Sequence, residues 1–95
     1  MRVHKIRLID NTYELDIANE LLRKFINAKI DFIKDRIKET DASDKDQISQ
    51  LESRIKDLRA EIRSLDLFIE NYEGENVEME MGSTIVMSIK NIEST

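Results

Sequence analysis

Cysteine, proline and tryptophan are absent from this 95-residue chain, and glycine occurs twice. Without cysteine there can be no disulfide, no thiolate zinc ligand and no thiol nucleophile, and the composition suits a reducing compartment. Without proline, long uninterrupted elements are allowed. Aromatic residues make up only 5% of the chain, so no base-stacking platform is visible. No apolar run approaches the ~20 residues of a membrane span. The N-terminal stretch MRVHKIRLID lacks the apolar centre of a secretory signal. These features lead us to expect a soluble cytoplasmic protein with no membrane partner. The net charge of −5 opposes generic binding to nucleic acid.

The apolar residues that are present are strongly periodic. In the second half they fall at Ile48, Leu51, Ile55, Leu58, Ile62, Leu65, Ile69 and Tyr72, spaced alternately by three and four. This is the seam of a coiled coil, with isoleucine at every first core position and leucine at the second until Tyr72. Asp44 with Gln47 forms a capping-box start, and Ser43 with Asp46 is an equally good frame. Gly74 is placed to end the helix in the left-handed conformation. A first helix is expected from Asn11, with Glu14 as its capping partner. Its stripe is Leu15, Ala18, Leu22, Ile26, Ile30, Ile33 and Ile37. Folding back at residues 40–43 brings Ile33 to Leu51, Ile26 to Leu58, Leu22 to Ile62 and Leu15 to Ile69. The arms would be roughly 40–45 Å long at 1.5 Å per residue. Charges flanking the seam disfavour a parallel zipper, in which Arg54 would face Arg59 and Glu61 would face Asp66. An antiparallel contact instead matches Arg54 with Glu61 and Glu52 with Arg59.

Helix 1 carries a second apolar stripe: Ile17, Leu21, Phe25, Ala28 and Phe32. It lies about 130° around from the first, so a two-helix hairpin cannot cover both. The chain's own strands, a second copy or a different protein partner must do so. An exposed stripe of this size favours symmetric self-association.

Three segments alternate as half-buried strands: residues 1–10, 76–81 and 84–90. Gly82-Ser83 punctuates the last two. A two-residue turn, a three-residue loop over 82–84 and a single strand bulged at Gly82 all remain open. Arg2, Lys5 and Arg7 on the first strand would pair with Glu78 and Glu80 on the second. The expected fold is α+β and helix-dominated. A single domain, 1–95, holds an antiparallel helical hairpin (11–40 and 44–73), a small antiparallel sheet from both termini (β-α-α-β-β) and a tail, 91–95.

No residue pattern points to catalysis, a cofactor or a metal. His4, the sole histidine, has no cluster of ligands around it. The acidic run Glu70, Glu73, Glu75, Glu78 and Glu80 has no EF-hand spacing and reads as a solvated face. Basic Arg23, Lys24, Lys34 and Lys38 are interleaved with acids. The hairpin tip presents Glu39, Asp41, Asp44 and Asp46; capping and the helix dipole favour Asp44 and Asp46 at the start of the second helix. An alternative use is presentation of acids to nucleic-acid machinery. An antiparallel coiled coil with an acidic tip followed by strands, with Arg54-Ile55-Lys56-Asp57-Leu58 and Gly82-Ser83-Thr84-Ile85-Val86, resembles the N-terminal half of the Gre transcript-cleavage factors. That family's extended acidic tip motif is missing here. The residues themselves favour a small intracellular interaction or assembly module, a homodimer of accessory or inhibitor type. The Lys-, Ile- and Asn-rich makeup suits a phage or mobile element among other AT-rich sources. The alternative is a regulator of nucleic-acid machinery through the tip or through a basic surface at Arg2, Lys5 and Arg7.

Overall fold

The structure, a computed structural model, describes residues 2–92. Its elements run β1 (Arg2–Glu14), α1 (Leu15–Glu39), α2 (Lys45–Glu70) and β2 (Glu78–Ile89). The two strands form one antiparallel sheet. The helices form an antiparallel hairpin whose base carries that sheet, so the α+β, helix-dominated arrangement with strands from both termini holds.

The hairpin forms because the two seams match. Ile30, Ile33 and Ile55 are buried at its centre, with Ile26, Ile37, Leu51, Leu58 and Ile62 packed around them. Of the remaining seam residues, Ala18 is buried, Leu15, Leu22, Ile48, Leu65 and Ile69 are half-buried, and Tyr72 is exposed. An ion pair between Arg23 and Asp66 ties the arms together near the base. At the turn, the Asp44 carboxylate accepts from the Gln47 backbone N–H at 3.2 Å, which selects the Asp44 capping frame. The other arm ends where the Thr40 hydroxyl donates to the Arg36 carbonyl, 2.7 Å away. Helix α2 ends at Glu70 rather than at 73, and the chain leaves through a turn in which Gly74 adopts φ 80°. That left-handed conformation is open to glycine at little steric cost.

Two further boundaries differ from the sequence expectation. Asn11 to Glu14 belong to β1, not to the first turn of α1, and the proposed Asn11–Glu14 capping box does not form. Residue Glu14 occupies the N-cap position without a side-chain cap bond. The segments 76–81 and 84–90 are not separate strands: β2 runs unbroken through Gly82, and the arrangement is β-α-α-β. Both outcomes have one cause. A strand of 12 residues pairs along nearly all of β1. A hairpin at Gly82 would leave much of β1 without a ladder partner, and backbone groups in a ladder are better satisfied than in a frayed end. The bulge falls on the opposite strand, at Leu8, between the pairs Arg7–Thr84 and Ile9–Ser83. The tail residues 93–95 and Met1 lie outside the described residues.

The register also overturns the expected charge pairing. Glu78 lies opposite Glu14 and Glu80 opposite Thr12. Arg2 pairs with Ile89, Lys5 with Val86 and Arg7 with Thr84, at the other end of the sheet. Antiparallel strands that diverge from the base of the hairpin necessarily put the start of β2 against the end of β1. Arg7 instead meets Asp10 on its own strand, at 3.2 Å.

Candidate interaction surface

Side chains alternate along a strand, and the Leu8 bulge shifts that alternation by one on β1. One face of the sheet therefore carries Ile6, Ile9 and Tyr13 beside Met79, Met81, Ile85, Met87 and Ile89. The other carries Val3, Lys5, Arg7, Asp10 and Thr12 beside Glu78, Glu80, Thr84, Val86 and Ser88. The apolar face turns toward α1. A cleft of about 680 Å³ opens between them, lined by Leu8, Ile9, Leu22, Phe25, Met81 and Ile85 among others. Between α1 and the sheet, full burial is reached at Ile9 and Ala18. Farther along, Ile6, Ile85, Met87 and Ile89 stay exposed, Ile89 at 66%.

The second stripe of α1 is likewise uncovered. Phe25 is 42% and Phe32 65% exposed; Ile17 and Ala28 are also exposed, and Leu21 is half-buried. The structure places these five residues along one helix flank, with Phe25 reaching the mouth of the cleft. The chain's own strands do not cover the stripe. Sequence reasoning missed the exposed apolar pair Leu67 and Phe68 near the end of α2, and Tyr72, expected in the seam, lies exposed in the turn that follows. Phe68 and Tyr72 meet in a tilted contact, 5.4 Å between ring centres and 58° between planes, and line a groove with Leu15, Val77 and Met79. The signal was present, since Leu67 and Phe68 interrupt an otherwise polar set of positions off the seam.

The tip acids are largely occupied. Asp41 accepts from both the backbone N–H and the hydroxyl of Ser43, each at 2.9 Å. Those two bonds, the backbone one foremost, hold its carboxyl below the usual carboxylate range. Asp44 caps α2, and Glu39 pairs with Arg36 at 3.1 Å. Asp46 lies in the first turn of α2, where a negative charge suits the helix dipole. The three basic residues of β1 are not gathered into one patch. By the alternation of the strand, Lys5 and Arg7 share the polar face, while Arg2 lies on the other. His4 sits opposite Met87 on β2.

At the base, Glu14, Asp16, Glu73, Glu75 and Glu78 surround an open cleft of about 590 Å³. Among the described residues, no three histidine, cysteine or acidic side chains converge as metal ligands. No described helix is long and apolar enough to cross a membrane. No known protein family, curated protein or solved structure matches the chain. What the geometry offers is surface: an apolar flank of α1 and an apolar sheet face, meeting at Phe25.

Proposed function

We propose that this protein is a homodimeric interaction and assembly module, an accessory or inhibitor protein that works through contact rather than chemistry. The observation that carries this reading is the amount of surface left open. The chain exposes 8136 Å². A compact monomer of 11.2 kDa would expose roughly 5,700 Å². The difference, about 2,400 Å², is about three times the ~800 Å² that each partner contributes to an ordinary stable interface. Its shape agrees: the radius of gyration is 17.6 Å, against the ~12 Å of a compact chain of this length.

The uncovered side chains are also the right kind. Phe25 and Phe32 on α1, with Ile85 and Met87 on β2, are large and apolar, and Phe25 and Ile85 line a cleft too open to be a core. Aromatic and methionine side chains are enriched at the centres of protein interfaces. A second copy supplies the matching surface at no further genetic cost, and such isologous dimers are the commonest oligomers.

Light scattering or sedimentation equilibrium at micromolar concentration tests the reading. The wild type is expected at twice the chain mass. Phe32→Asp, at an exposed site, should keep its helical circular dichroism while shifting to the monomer mass; Phe25→Asp should weaken association similarly. A wild type that remains monomeric to millimolar concentration overturns the proposal.

A further inference from the structure

The two edges of the sheet are unlike each other. Strand β1 carries Arg2, Lys5, Arg7 and Asp10, and its ladder is broken by the Leu8 bulge. Charges and bulges are the usual devices that stop a sheet edge from pairing with another chain. Strand β2 has its two charges, Glu78 and Glu80, at its start and no bulge. From Met81 to Ile89 it contains no charged residue, no proline and no register shift. Among the described residues, its outward backbone groups have no partner outside the ladder with β1. A regular, uncharged and β-prone edge of this length is a template for another strand.

We infer that two copies join along β2, edge to edge and antiparallel, about a two-fold axis through Thr84, to form a four-stranded sheet ordered β1-β2-β2-β1. This rests on the dimer reading and specifies its geometry. The register follows from symmetry and chemistry. A two-fold axis perpendicular to the sheet keeps each face on its own side, so residues facing each other across the axis have the same parity. Centring on Thr84 uses the whole of β2. It sets Met79 against Ile89 of the second copy, Met81 against Met87 and Ser83 against Ile85, all on the apolar face. On the polar face Thr84 meets its own copy, and Glu78 meets Lys90.

Two features of the single chain are relieved by this pairing. Glu78 faces Glu14 within the sheet, a like-charged pair that disfavours the ladder. A lysine on its other side offsets that repulsion, twice per dimer. Ile89, among the most exposed apolar side chains of the strand, would sit over Met79 of the second copy, beside the Phe68–Tyr72 groove. Both helical hairpins then lie on one side of the enlarged sheet, where its apolar face needs cover.

The absence of cysteine makes the geometry directly testable, because any introduced thiol is the sole one in the chain. Thr84→Cys should give disulfide-linked dimers on mild oxidation, whereas Val86→Cys and Phe32→Cys should not match it. Thr84→Glu is a second probe. Within one chain the new carboxylate faces Arg7, which is favourable; across the axis it faces its own copy. Its dimer dissociation constant should rise at least about tenfold, and mixing it with Thr84→Lys should restore association. A dimer in which residue 84 does not cross-link in preference to residues 86 and 32, or in which Thr84→Glu associates as the wild type does, overturns the edge pairing and leaves the dimer reading standing. A monomeric wild type removes both.

Discussion

Replacing Ile55 by alanine tests the hairpin most directly. Ile55 is 7% exposed and belongs to the central cluster with Ile30 and Ile33. The substitution removes three carbons from a packed site, worth about 2.4 kcal/mol at ~0.8 kcal/mol per buried methylene. A sealed cavity would add more. This site borders an open groove lined by Glu52, Lys56, Arg59 and Arg63, so water and long side chains can fill part of the void. We expect a total cost of about 2.5–3.5 kcal/mol, in the lower half of the range for such truncations. That is a large share of the stability of a domain this size, roughly 5–14 kcal/mol. Urea unfolding followed by helical circular dichroism, at one fixed protein concentration, gives the number. Phe32→Ala is the control. It deletes more carbon, but from a side chain 65% exposed, so in an isolated chain it should cost no more than about 0.5 kcal/mol. A larger, concentration-dependent cost at Phe32 would mean that a second copy covers it. An Ile55→Ala cost below about 1 kcal/mol would refute the reasoning, since the matched seams would then not be the core.

Asp44→Ala removes the side-chain acceptor for the Gln47 N–H and should cost about 1 kcal/mol by the same assay, with Asp44→Asn costing much less. The Asp41 carboxyl should titrate below its ordinary value by NMR and return toward it in Ser43→Ala, which removes the hydroxyl bond but keeps the backbone one. Because its folded value is depressed, its contribution is present above the unfolded value and is lost as pH falls through the folded one; a Ser43→Ala chain should therefore lose less stability over that acidic window.

The hairpin was legible because its signal is redundant. Each seam repeats over several turns, and the two repeats also have to match each other, so Ile26 with Leu58 and Ile33 with Leu51 constrain the register twice. The strand boundaries were not legible for the opposite reason. Asn11 with Glu14 satisfies a helix start on local grounds, and Gly82-Ser83 satisfies a turn. Both were overridden by pairing between residues far apart in sequence, such as Thr12 with Glu80 and Asp10 with Gly82. A one-residue bulge at Leu8 then reverses which side chains share a face, so Ile6 and Ile9, rather than Ile6 and Leu8, look the same way. No local pattern announces that bulge. The α1 stripe was readable as surplus apolar surface, whereas the uncovered far half of the sheet face became visible only with the register in hand.

A two-stranded sheet is marginal in water without a third strand or a packed face. Here burial against the hairpin is complete at Ile9 and Ala18, while Ile6, Ile85, Met87 and Ile89 are exposed. The outer half, from Ile6 to Arg2 and from Ile85 to Ile89, has a ladder but little underneath it. Moving α1 flat against the sheet would cover Ile85 and Met87, yet it would draw α1 away from α2 and open the seam around Ile30 and Ile55. The chain cannot satisfy both packings with two helices. The proposed second copy would relieve the conflict without disturbing the seam, by adding strands along β2 and apolar side chains against the same face. In the proposed dimer a second copy would complete the fold, packing on the sheet's outer half and on the α1 flank that the single chain leaves open.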